Sequence, residues 1–188
     1  LKPDPEDIHR VLDDAIQTSQ AMIVSEDGFH FNNWDKKKVL PTVHDEEVGE
    51  PKMRDPKVWK DGDSYYMMMG SSYHDAGRVL FYTSKDGENW TYANQCRPES
   101  YGWTIECPDL FSQNDQWVFI GCPMRLTPGE KKYPDQAVWA LAEFDPKTCE
   151  LKLPDTHSYV DYGLDLYAPQ TTLDAEGRRV MISWMRMP

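Results

Sequence analysis

The sequence predicts an all-β fold built from repeated four-stranded sheets, a partial β-propeller. Three observations carry that expectation. A hairpin pattern recurs three times, a second strand–turn–strand pattern interleaves with it, and the step between copies fits one four-stranded unit.

The hairpins come first. Arg54-Asp55-Pro56-Lys57-Val58-Trp59, a polar stretch and Tyr65 to Gly70 form one copy. Glu106-Cys107-Pro108-Asp109-Leu110-Phe111 leading to Trp117 to Gly121 forms the next. Tyr167-Ala168-Pro169-Gln170-Thr171-Thr172 leading to Val180 to Ser183 forms the third. Each reads as strand, polar turn, strand. The proline stands at the strand start, where a missing N–H does least harm. Pro56, Pro108 and Pro169 lie 52 and 61 residues apart.

The interleaved pattern places an Asp-Gly or Asp-Pro turn between two further strands. Its copies are Met22 to Gly28 before Phe29, Phe31 and Trp34; Leu80 to Gly87 before Trp90 and Tyr92; and Val138 to Pro146 before Cys149 and Leu151. A meandering β-sandwich also has many short strands. It gives no reason for the same turn chemistry to return in the same order. Helical spacing occurs once, at residues 5–19, where Ile8, Val11, Leu12, Ala15 and Ile16 line up behind Asp4 as N-cap and Pro5.

These phases partition the chain. Residues 1–19 are a helical decoration, 20–53 the outer part of a first blade, 54–105 and 106–166 two complete blades, and 167–188 the start of a fourth. The strand that should lead the first blade falls upstream of Leu1, and a propeller needs at least four blades to close. The chain is therefore expected to be a segment of a longer polypeptide.

Composition narrows the function. The formal net charge is -12 and the pI about 4.8, so a phosphate backbone would be repelled and no nucleic-acid partner is expected. The longest apolar runs are too short to cross a bilayer, so no membrane partner is expected either. Four cysteines, Cys96, Cys107, Cys122 and Cys149, lack C-x-x-C spacing, which argues against a zinc site. Reduced thiols and a cytoplasmic location are the expectation, with disulfides in a secreted protein as the alternative.

In a propeller the first strand of each blade lines the central axis, so acids at its start converge on one mouth. Asp55 and Glu106 are such acids, each embedded among apolar strand residues. Asp61 and Asp115, at hairpin tips, are solvated turn residues. Paired carboxylates around one cavity suit glycosidic cleavage, one protonating the leaving oxygen while another stabilises or captures the cationic centre. Trp59, Tyr101, Trp103 and Tyr167 are candidate sugar-stacking walls, although each taken singly is more often a core residue.

Arg54-Asp55-Pro56 and Glu106-Cys107-Pro108-Asp109 resemble the R-D-P and E-C-P-D motifs of glycoside hydrolase family 32. The stretch Asp161 to Gln170, followed by Gly177-Arg178-Arg179 and Ser183-Trp184-Met185, is similar to that family's next blade. The resemblance implies a five-bladed propeller and hydrolysis of terminal fructosyl bonds by a retaining double displacement. It makes Glu106 the general acid/base, its carboxyl held protonated by burial and neighbouring carboxylates, with Cys107 helping to shape that environment. Asp55 becomes the transition-state stabiliser, Arg54, Tyr167 and Trp103 substrate-binding residues, and Asp161 a residue of the leaving-group side. The expected partner is a small carbohydrate, with neither cofactor nor metal, and oligomeric state stays open.

The family's nucleophile lies in an N-D-P-N-G motif that does not occur in these 188 residues. The chain taken alone is therefore expected to be inactive. A related five-bladed arabinan- or xylan-cleaving enzyme and a non-catalytic carbohydrate-binding propeller remain open, as does a small structural β protein. If the substrate is phosphorylated, Arg125, Lys131 and Lys132 are the cations that follow the Glu106 blade.

Overall fold

The computed structural model describes residues 18–126, 135–163 and 165–186. Within them the chain is strand and loop, with one 3-10 turn at Asn33–Asp35. Most of the helix expected at 5–19, and both Lys131 and Lys132, lie outside the described residues. Thr18 and Ser19 are not helical. The Thr18 hydroxyl donates to the carbonyls of Pro51 and Met53, at 2.9 and 2.6 Å.

A short ribbon, β1 (Gln20–Met22) paired with β2 (Lys37–Leu40), opens the described chain. Phe29, Phe31 and Trp34, expected as strand residues beyond the first Asp-Gly turn, are instead exposed loop and 3-10 residues. No neighbouring sheet among the described residues covers them, so their alternation has no apolar surface to pack on.

Two four-stranded antiparallel meanders follow. The first runs β3 (Arg54–Asp61), β4 (Ser64–Tyr73), β5 (Ala76–Ser84) and β6 (Thr91–Cys96), paired in chain order. The second runs β7 (Thr104–Gln113), β8 (Gln116–Met124), β9 (Val138–Asp145) and β10 (Glu150–Lys152) in the same order. A two-residue strand, β11 (Ser158–Tyr159), adds to β9. A last hairpin, β12 (Leu166–Leu173) and β13 (Arg179–Met185), stands beside the second meander. Tight turns follow their residues: Asn114 and Asp115 sit at φ 52 and 60, the doubly left-handed pair of a two-residue hairpin.

Two copies of the turn in the interleaved repeat, at Ser25–Gly28 and Ser84–Gly87, match bond for bond. Ser25 and Ser84 each accept the N–H of the following Gly28 or Gly87 at 2.9 Å. Asp27 accepts the N–H groups of Phe29 and His30, and Asp86 those of Glu88 and Asn89, at 2.8–2.9 Å. Both glycines carry the positive φ that such a turn requires, 76 and 77°.

Packing comes from the alternation of β4. Tyr66 and Met68 face one side and Met67 and Met69 the other, and all four are buried. Between the two meanders lie Met68, Val79, Phe81, Ile105, Leu110, Phe119 and Phe144. Each such side chain contributes about 1.5–3 kcal/mol by leaving water. Trp59, stacked on Tyr66 with ring centroids 5.3 Å apart, and Tyr101, set edge-on to Phe119, belong to this core rather than to a sugar wall. All four cysteines are free thiols, three of them buried. No described helix is long and apolar enough to cross a membrane.

Candidate active site

Each inner strand begins with the same irregularity. Register slips between Arg54 and Lys57, between Glu106 and Asp109, and between Tyr167 and Gln170. At every slip a non-glycine residue before the proline is left-handed: Asp55 at φ 55, Cys107 at 47 and Ala168 at 52°. These are β-bulges, which re-aim side chains and recur beside active sites. The proline needs no ladder partner, so it fits the unpaired position.

The bulges align three tiers across β3, β7 and β12. In the first, the Arg54 guanidinium donates to Glu106 Oε1 at 2.8 Å, and the Tyr167 hydroxyl donates to Oε2 at 3.0 Å. The Glu106 side chain is 18% exposed, and each of its oxygens accepts one of these hydrogen bonds. Burial, with the Cys122 thiol and the Glu106 carboxylate beside it, pushes the Tyr167 phenol far up, so it stays a hydrogen-bond donor. Arg186 lies over the Tyr167 ring, its guanidinium carbon 4.4 Å from the ring centroid.

In the second tier Asp55 Oδ2 accepts the Cys107 N–H at 3.0 Å, with the thiol 3.6 Å away. Burial, reinforced by Asp55, pushes the Cys107 thiol up, so it is no nucleophile. In the third, Asp109 is fully buried and Lys57 Nζ lies 3.1 Å from its Oδ1, an ion pair rather than a directed hydrogen bond. Asp109 Oδ2 accepts the Thr171 N–H at 2.7 Å, and Lys57 also donates to the Thr171 carbonyl at 2.6 Å. The Gln170 amide donates to the Cys107 carbonyl at 3.0 Å.

Arg54, Asp55, Glu106 and Tyr167 are thus brought together. Asp55 does not face Glu106 across a void, as the strand-start argument expected. It sits on the adjacent strand and touches the residue after Glu106. The groups nearest Glu106 are a cation and a phenol, not other carboxylates. Trp103 is elsewhere: its indole N–H donates to Asp75 at 2.8 Å, and the Arg125 guanidinium carbon lies 4.8 Å from its ring centroid, covering one face. Asp161 curls back over Gly163, and no hydrogen bond among the described residues joins it to Glu106. Sequence reasoning missed Lys57 and Asp109, although opposite charges at one repeat position in neighbouring strands were a visible signal. It also missed Gly70, where an added Cβ would stand 2.0 Å from the Ile105 carbonyl and 3.5 Å from the Glu106 Cα. The open volume of about 540 Å³ lined by Lys57, Trp59, Phe111, Thr171 and Arg179 lies toward the far end of these strands, away from Glu106.

The family model described as Glycosyl hydrolases family 32 N-terminal domain matches residues 7–188. The chain belongs to glycoside hydrolase family 32. Among relatives, the sucrose-6-phosphate hydrolase of Salmonella typhimurium is 36% identical over 145 residues, covering 72% of this chain and 31% of that protein. The sucrose-6-phosphate hydrolase of Escherichia coli is 33% identical over 181 residues, covering 93% and 36%. A family 32 β-fructofuranosidase of Bombyx mori superposes with a TM-score of 0.78 at 34% identity, over 91% of this chain and 37% of that one. The chain spans about a third of the length of the relatives it matches. Its sheets take the β-propeller arrangement of the family 32 catalytic domain.

Proposed function

We propose that this family 32 chain carries the acid/base side of a retaining fructosyl hydrolase. One observation supports the reading most directly: Glu106 is held between Arg54 and Tyr167 where three bulged inner strands meet. In the proposed reaction a carboxylate from a segment outside these 188 residues attacks fructose C2. The C2–O bond breaks, and Glu106 gives its proton to the departing oxygen. The Glu106 carboxylate then takes a proton from water as that water opens the fructosyl ester, releasing fructose. Asp55, fixed by the Cys107 N–H, holds fructose hydroxyls, and Arg54 keeps the Glu106 carboxyl on its side of the ring.

We read the two meanders as complete blades of a five-bladed propeller, with residues 20–53 and 167–188 contributing to its neighbours. The substrate class is a small β-fructoside such as sucrose or sucrose 6-phosphate, as the names of the relatives suggest. A cytoplasmic location fits the free thiols.

The test uses the full-length gene product. Glu106→Gln lowers kcat on sucrose by about 10²–10⁴-fold, and much less on a fructoside whose leaving group needs no proton. Equal losses on both substrates would remove Glu106 from the acid role. Cleavage of arabinan without sucrose would transfer the chain to the furanosidase reading.

A further inference from the structure

We propose that Arg125, held over the Trp103 ring at the rim beyond Glu106, is the recognition site for a phosphate on the leaving-group sugar. The inference rests on the fructosyl-hydrolase reading above and names the substrate feature this rim selects.

Position comes first. Glu106 pairs with Cys122, and Arg125 lies three residues beyond Cys122, just past the end of β8. At about 3.3 Å per residue that sets Arg125 about 10 Å farther out on the same end of the sheet. Trp103, three residues before Glu106 in the chain, is bound there too, its N–H on the Met124 carbonyl at 2.9 Å.

The way the guanidinium is held is the second point. It lies over the Trp103 ring, which is fixed in turn by the indole N–H bond to Asp75 at 2.8 Å. Among the described residues Arg125 forms no ion pair, in a chain of formal net charge -12. A cation–π contact uses none of the guanidinium N–H donors, and that fork suits the bidentate binding of phosphate.

Backbone strain is the third. Arg125 sits at φ 53, a region that glycine enters freely and an arginine does not. Its N–H is tied to Asp135 Oδ1 at 2.8 Å, which holds that conformation. Backbone strain of this kind at a non-glycine residue is a recurrent feature of functional sites, and here it sets the direction in which the Arg125 side chain leaves the chain.

The experiment uses the full-length protein with sucrose and sucrose 6-phosphate as paired substrates. Arg125→Gly relieves the left-handed strain, so misfolding will not imitate the expected effect. The ratio of kcat/KM for sucrose 6-phosphate over sucrose falls about 10- to 100-fold in Arg125→Gly. Arg125→Lys, which keeps charge but not the fork, recovers only part of it. Inhibition by glucose 6-phosphate weakens in parallel. A ratio within twofold of the parent's overturns the inference while leaving the hydrolase reading intact. If the parent cleaves neither fructoside, the hydrolase reading falls, and calorimetric titration with glucose 6-phosphate decides this one. Binding lost in Arg125→Gly supports it, and binding absent in the parent or unchanged in the variant overturns it.

Discussion

The Lys57–Asp109 pair ties the Glu106 strand to its neighbours, and its removal is the most informative perturbation of the fold. Asp109 has no solvent exposure and the Lys57 side chain only 18%. Lys57→Met leaves a buried carboxylate without its cation, which costs about 3–5 kcal/mol. Asp109→Leu strands the ammonium at a similar cost and also orphans the Thr171 N–H, adding about 1–3 kcal/mol. The double variant removes both charges, and the apolar pair is close to neutral apart from the Thr171 N–H and carbonyl, which both lose a side-chain partner, so its total is about 2–3 kcal/mol. The double variant is therefore more stable than either single one, with a coupling of about 3 kcal/mol or more. Urea denaturation of the full-length protein reads this as midpoint shifts at constant slope. Additive single effects, or a Lys57→Met effect below about 1 kcal/mol, would refute the reasoning: the pair would then be a solvated contact of the kind that contributes little.

Three further outcomes are expected. Gly70→Ala drives a methyl group into the Ile105 carbonyl, displacing β7 beside Glu106. It lowers both thermal stability and kcat, whereas Gly62→Ala, left-handed at φ 54 in the β3–β4 hairpin turn with nothing within 4 Å of the added methyl, costs about 1–2 kcal/mol of stability and leaves kcat unchanged in the same assay. Tyr167→Phe removes one donor from Glu106 Oε2, a bond worth about 0.5–1.5 kcal/mol. It lowers kcat severalfold with little change in KM, and an unaltered kcat would show that the hydroxyl does not position the carboxyl. Burial pushes the Cys96 and Cys149 thiols up to about 11 from an ordinary 9.0. The unfolded chain therefore loses these protons first. Stability is full below pH 9 and declines as pH rises toward 11, a trend that unfolding curves across that range check and that a flat profile contradicts.

Much of the fold was legible because it rests on short-range chemistry. Ser25-Glu26-Asp27-Gly28 and Ser84-Lys85-Asp86-Gly87 close by the same bonds in the same places, since each needs only its own side chains and one positive-φ glycine. The hairpins following Arg54, Glu106 and Tyr167 were equally readable. What failed depended on neighbours. Phe29, Phe31 and Trp34 have the alternation of a strand, but no described sheet lies against them. Trp103 looked like an open sugar wall until Arg125, more than twenty residues later, closed one of its faces. Asp161 lies near the third inner strand in sequence, yet its carboxylate turns back on Gly163 because the intervening loop, not strand pairing, directs it.

The bulges explain why this site stands at strand starts at all. A regular strand alternates its side chains, so a residue and its successor face opposite sides of the sheet. The extra residue at each bulge suspends that alternation and re-aims its neighbours. Glu106 can then send its carboxylate between Arg54 and Tyr167 while the next residue's N–H fixes Asp55. The same distortion leaves Asp55, Cys107 and Ala168 left-handed, at about 1–3 kcal/mol each. Glycine at those positions would ease the backbone but would take away the Asp55 carboxylate and the apolar Cys107 side chain packed beside Tyr167. The Lys57–Asp109 pair and the Gln170–Cys107 bond stand on the far side of the same slips, where they oppose relaxation back to regular pairing. Strain at the second tier and restraint at the third are thus two halves of one arrangement, and Glu106 is held by both.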